Sequence, residues 1–171
     1  MTPLFEPVKR LARKLNLPTS EITAKDAKGS DVQLLQIAHK PYNLLVFDRG
    51  GYYELSFVWD IDEKDAALLA QQSKEIQERL FLVLRREILE GRTGFEFRYD
   101  QTKTPPWLLR IVMVQRIVIR DESPTTLQRF ADGIQEVVVV GVRCQDVLMR
   151  AFGDIRGGEK APDTYHAGMY A

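Results

Sequence analysis

At 171 residues, 44% hydrophobic and 28% charged, the chain has the size and composition of one globular domain. Its 24 basic residues are cancelled by 24 acidic ones, so the basic excess usual in a dedicated nucleic-acid binder is missing. No apolar run approaches the ~20 residues of a membrane span. The N-terminus lacks the apolar stretch of a secretory signal and Cys144 has no second cysteine to pair with, which together suit a cytoplasmic protein.

Residues 6–15 predict a helix. Pro7 stands in the first turn, where a missing N–H costs nothing, and Val8, Leu11, Ala12 and Leu15 form one apolar stripe. Lys9, Arg10, Arg13 and Lys14 fall on the opposite side. They form either a basic face for acidic lipid or nucleic acid, or a solvated face over a packed stripe. The short helix has no Trp and the chain is neutral, which favours the second.

Residues 20–24 read as a short leading strand. A three-strand meander follows at residues 32–38, 42–48 and 51–59, broken by His39-Lys40-Pro41 and by Arg49-Gly50-Gly51. In its third strand Tyr53, Leu55, Phe57 and Trp59 alternate with Tyr52, Glu54, Ser56 and Val58, and the larger apolar set is assigned to the core.

A long helix is expected next, opened by Asp60 as N-cap with Glu63 at capping-box spacing. Its stripe of Leu69, Ile76, Leu80, Val83, Leu84 and Ile88 runs to a stop at Gly91. The carboxylates at its start resemble a calcium loop, but the central glycine and the late bidentate Glu are missing.

Two more strands are expected at residues 94–99 and 107–120. Phe95, Phe97 and Tyr99 share one face of the first. On the second, Leu108, Arg110, Val112, Val114, Arg116, Val118 and Arg120 share a face that ought to be polar, yet valines are interleaved with arginines. Such a mixture suits an interface, so Arg110, Val112, Val114, Arg116, Val118 and Arg120 are the candidate partner-binding residues. Cover by the last helix, or a bulge that swaps the alternation, would explain the same pattern.

Ser123-Pro124 opens the final helix. Its stripe of Leu127, Ala131, Ile134, Val138, Gly141, Leu148 and Phe152 stays in phase across Val137 to Val140, a run with strand propensity, and so predicts helix there. An apolar girdle on that helix implies burial on several sides, as a homodimer would supply. From Gly153 the periodicity ends, and residues 156–171 read as a flexible tail in which Tyr165, Met169 and Tyr170 are possible anchors.

Catalytic chemistry is sparse. Histidines number two, His39 in a turn and His166 in the tail, and neither has an obvious partner. Cys144 lies in an apolar helix, where a thiol acts as a small hydrophobe. One cysteine and two histidines do not easily make a structural zinc site, and neither Gly-Gly pair has a phosphate-loop context. The reading names no catalytic, cofactor-binding or metal residue.

These elements give an α+β class: helix, three-strand antiparallel meander, long helix, two-strand hairpin and long helix, one sheet with helices packed on it, over residues 1–155. That order, with Phe47-Asp48-Arg49-Gly50-Gly51-Tyr52-Tyr53 as hairpin and Ser123-Pro124 opening the last helix, resembles the type III secretion chaperone-like fold. That fold also occurs in non-secretory families. The resemblance implies a small homodimer that binds a polypeptide segment without catalysis. Competing expectations are a nucleic-acid or acidic-membrane accessory using Lys9, Arg10, Arg13 and Lys14, and an enzyme with an unrecognised site.

Overall fold

A computed structural model describes residues 4–25, 29–91 and 93–157. In chain order the elements are α1 (Glu6–Lys14), β1 (Thr19–Lys25), β2 (Asp31–His39), β3 (Tyr42–Asp48), β4 (Tyr53–Asp60), α2 (Glu63–Ala70), α3 (Lys74–Glu90), β5 (Gly94–Asp100), β6 (Trp107–Ile117) and α4 (Pro124–Gly157). The strands make one six-stranded antiparallel sheet in the order β1-β2-β3-β4-β6-β5. Contacts divide the chain into two compact units, one of Met1–Phe57 with Val114–Val138 and one of Val58–Met113 with Val139–Ala171.

In the first unit the register places Leu35, Val46 and Leu55 side by side across three strands, and Ile37, Leu44 and Phe57 likewise. All six are buried, with Val8, Leu11 and Ala12 of α1 and Phe130, Ile134 and Val137 of α4. Fully burying each of the larger side chains contributes about 1.5–3 kcal/mol. Gly133 lets α4 come down onto β6: a Cβ there would lie 2.7 Å from Ile117 Cδ1. Between β3 and β4 the chain turns through Gly50 and Gly51 at φ +70° and +155°, values only glycine adopts without strain, and the Asp48 carboxylate accepts the Gly50 N–H at 2.8 Å.

In the second unit Leu80, Leu84 and Ile88 of α3 are buried, as are Ala66 and Leu69 of α2 and Val140, Cys144, Val147, Leu148, Ala151 and Phe152 of α4. Gly91 permits the close approach of α3 and α4, since a Cβ there would lie 2.5 Å from Val140 Cγ2. Gly91 does end the helix, but with φ −89° and ψ 163° it is extended and not left-handed, so here glycine serves packing.

Four boundaries differ from expectation. The leading strand β1 is a full seven residues paired along its length with β2, so the meander has four strands. The middle helix is two helices. Asp60 ends β4, Asp62 caps α2 by accepting the Lys64 N–H, and Ser73 restarts the chain by accepting the Ile76 N–H. Around that break the Gln77 amide donates to the carbonyls of Ala70 and Gln72, and the Gln72 amide to that of Leu68, so the ends of α2 keep their partners. β6 stops at Ile117, which leaves Val118 and Arg120 beyond the strand. Finally, α4 continues to Gly157, past the expected end of periodicity, and Val137 to Val140 are helical. His166 and the tail anchors Tyr165, Met169 and Tyr170 lie outside the described residues.

Candidate interaction surface

The basic face of α1 is engaged within the first unit. Lys9 pairs with Glu21 of β1, while Arg10 Nε and Lys14 Nζ lie 2.6 and 2.8 Å from the carboxylate of Glu122, just before α4. The Lys14 hydrogen bond holds the Glu122 carboxyl below its ordinary range, and the charges of Lys14 and Arg10 act in the same direction. Arg13 and Lys14 are both exposed, Lys14 while still paired with Glu122. Three of the four cations expected to meet an anionic surface therefore face carboxylates of their own chain.

The Val/Arg face of β6 is built in two places. Arg116 lies 3.7 Å from Glu54 and Arg110 is 2.5 Å from Asp60, while the Ile61 N–H donates to the Leu109 carbonyl. A step forward along β4 thus matches an equal step back along β6, as antiparallel strands require. Ile117 and Gln115 meet α4 at Gly133, so alternation puts Val114 and Arg116 on the face turned away from that helix.

In the first unit this outer face gathers more than the alternation of β6 foretold. Glu54, largely buried, takes the Arg49 Nε at 2.7 Å as well as Arg116. The Arg116 guanidinium lies 5.4 Å over the Tyr52 ring and the Arg49 guanidinium 5.0 Å over Phe47. Two arginines thus share one carboxylate and each rests on an aromatic ring, an arrangement that holds planar cations in place while leaving them wet. Arg116 keeps 72% of its side chain exposed. Val114 beside it is half-buried. Phe47, Arg49, Tyr52 and Glu54 were not among the expected site residues.

In the second unit Arg110 is half-exposed beside Asp60, and Val112 is buried. Val118 and Arg120 are exposed but belong to the segment after β6. Of the six residues expected to act together, Arg110, Val112, Val114 and Arg116 are on the strand and Val118 and Arg120 are not.

Cys144 is fully buried, and burial together with the nearby Glu87 charge pushes its thiol up to about 12, the reverse of what a nucleophile needs. His39 is half-buried, and its Nδ1 makes no hydrogen bond. Among the described residues no three of His, Cys, Asp and Glu converge as metal ligands would, and no helix is long and apolar enough to cross a membrane.

No protein-family model matches the sequence, and no curated protein matches it either. A solved structure of an uncharacterised protein from Methanothermobacter thermautotrophicus is similar, with a TM-score of 0.67 at 12% identity, over 88% of this chain and 100% of that one. The E. coli protein YbjN aligns with a TM-score of 0.45 at 10% identity, over 95% of this chain and 98% of its own. The archaeal structure establishes a shared fold.

Proposed function

We propose that this chain is a non-enzymatic interaction module that holds a polypeptide segment against the outer face of β4 and β6, in the manner of a small chaperone. The observation that carries the reading is the state of Arg116. It is mostly exposed, seated on Tyr52 and neutralised by Glu54 beside the half-buried Val114. Apolar strips flanked by positioned guanidinium groups favour an amphipathic or acidic polypeptide, because the arginine planes can trade water for carboxylate or backbone carbonyl oxygens. Element order and the antiparallel sheet fit the secretion chaperone-like pattern, and the raised Cys144 thiol speaks against thiol chemistry.

Polypeptides captured from a native lysate are identified, purified and rebound to wild type, to Arg110→Glu/Arg116→Glu and to Arg110→Lys/Arg116→Lys. The reversal is expected to abolish binding and the lysine pair to weaken it, with all three proteins melting within a few degrees of each other. Equal binding by wild type and reversal rejects the reading.

A further inference from the structure

Natural sheets blunt their edges with lysine, proline, bulges or cover, since an open edge is a template for another strand. β5 carries neither of the two residue types. It is the last strand in the order and among the described residues pairs only with β6, and its sequence is GFEFRYD. Phe95, Phe97 and Tyr99 line one face. Phe97 lies 5.3 Å from Phe95 and 5.5 Å from Phe81 of α3, which also contacts Tyr99 at 6.4 Å. Even so, Phe95 and Tyr99 each remain 38% exposed. On the same helix Leu82 and Leu89 stand 70% and 73% exposed. The other face of β5 carries Glu96 and Arg98, an exposed pair at 3.0 Å.

The sequence of this strand is complementary to itself. In an antiparallel copy centred on Phe97, Glu96 opposes Arg98 twice, Phe95 opposes Tyr99 twice, and Phe97 opposes its own mate. Aromatic pairs and opposite charges are the favourable cross-strand neighbours. Sliding the register by two residues sets Glu96 against Glu96 or Arg98 against Arg98. Sliding it by one sets aromatics against charges and turns the apolar face over. Of these registers only the one centred on Phe97 pairs residues 95–99 favourably throughout.

We propose that a second copy of this chain docks here, by antiparallel β5–β5 pairing about a twofold axis at Phe97. The contact is isologous and closes on itself, so it stops at two copies. Because α3 packs on the aromatic face, the axis brings both α3 helices to the same side of the joined strands, where Leu82 and Leu89 are available for burial.

The test is a charge swap across the pair, read by analytical ultracentrifugation over a dilution series. Wild type is expected to be dimeric. Glu96→Arg and Arg98→Glu each oppose like charges twice and are expected to raise the dissociation constant at least about tenfold. The double swap Glu96→Arg/Arg98→Glu restores opposite charges and is expected to return the constant to near the wild-type value. Amide exchange gives a second readout that needs no variant, since the outer amides of β5 should exchange more slowly as concentration rises. A wild type monomeric up to its solubility limit overturns the proposal, as does a dimer indifferent to the single swaps or a double swap that fails to rescue. Concentration-independent exchange, or a monomer that pairs β5 with an unrelated peptide, also overturns it. Arg110 and Arg116 are untouched throughout, so failure here and failure of polypeptide capture are read separately.

Discussion

The two compact units are finished to different degrees. In the first, surface charges are matched within the unit: Lys9 with Glu21, Arg10 and Lys14 with Glu122, and Arg49 and Arg116 with Glu54. Its edge strand β1, with sequence TSEITAK, is small, polar and charged, as a strand that must not recruit another should be. The second unit also pairs surface charges, Arg110 with Asp60, Arg150 with Asp146 and Arg156 with Asp65 among them, but its edge strand β5 is aromatic where β1 is polar. Six of the eight large hydrophobics standing exposed among the described residues belong to this unit: Leu82, Leu89, Phe95, Tyr99, Val139 and Met149. Its interior holds Glu87, 1% exposed with neither carboxylate oxygen hydrogen-bonded, and the unpartnered hydroxyl of Thr93. What separates the two units is thus apolar surface left exposed and a carboxylate buried without a hydrogen bond, both concentrated in the second.

The contrast is sharpest if side chains of similar size are removed from each. Phe130 is fully buried in the first unit, and Phe130→Ala is expected to cost about 3–5 kcal/mol through lost transfer energy and the cavity left behind. Thermal melting would show a midpoint fall of roughly 10 °C for a chain of this size. Leu82→Ala, at an exposed site of the second unit, is expected to stay within about 0.5 kcal/mol of wild type. Equal losses at the two sites would mean that α3 is not the free surface its exposure indicates.

The next effect has the opposite sign. Glu87 faces Cys144 across the α3–α4 seam, and a buried polar group without partners costs the desolvation it never recovers. Replacing it by an apolar side chain of similar volume removes that cost. Glu87→Met is expected to stabilise the chain by about 1–3 kcal/mol, measured by urea unfolding with the slope unchanged. Destabilisation would show that the carboxylate has a partner in solution, and the second unit would then be as well satisfied as the first.

How much of this was legible depends on where the information sits. Periodicity marked α1, β2, β3, β4 and α4, because each carries its burial pattern in neighbouring residues. It correctly kept Val137 to Val140 in a helix despite their strand propensity. β1 was almost invisible, since Ile22 is the largest apolar residue it has and its order comes from pairing with β2. The division of α2 from α3 is a capping decision at Ser73, made while the apolar stripe continues in phase from Leu69 to Ile76. At the candidate site, alternation found Arg110 and Arg116 but not Glu54, which lies 62 residues before Arg116 and joins it only through the β4–β6 register. The signal that could have found Arg49 and Tyr52 was their place flanking Gly50-Gly51, where a tight turn holds both close to the end of the sheet.

A smaller effect probes the exposed leucines. Leu82→Lys/Leu89→Lys is expected to leave the melting midpoint nearly unchanged, because neither side chain is packed in the isolated chain. Dimerisation is expected to weaken a few-fold, as befits flanking contacts beside the β5 pairing. A dimer that tightens, or a midpoint that drops by many degrees, would remove α3 from the interaction surface.

The smallest expected effect tests whether the first unit is as well satisfied as its contacts indicate. Asp121 accepts the Thr126 hydroxyl at 2.6 Å and the Ser123 N–H at 3.0 Å at the start of α4. These bonds, that of Thr126 foremost, hold its carboxyl at about 2, below the ordinary 3.8. A carboxyl whose folded value is depressed stabilises the fold above its unfolded value, and that contribution is lost as pH falls from 3.8 toward about 2. Asp121→Asn removes the titration, so its melting midpoint should fall less steeply than wild type across that window while lying slightly lower at neutral pH. Parallel curves for the two proteins would mean that the carboxylate is no better held in the fold than in the open chain, and the claim that unit 1 settles its own charges would fail at its most strongly bonded acid.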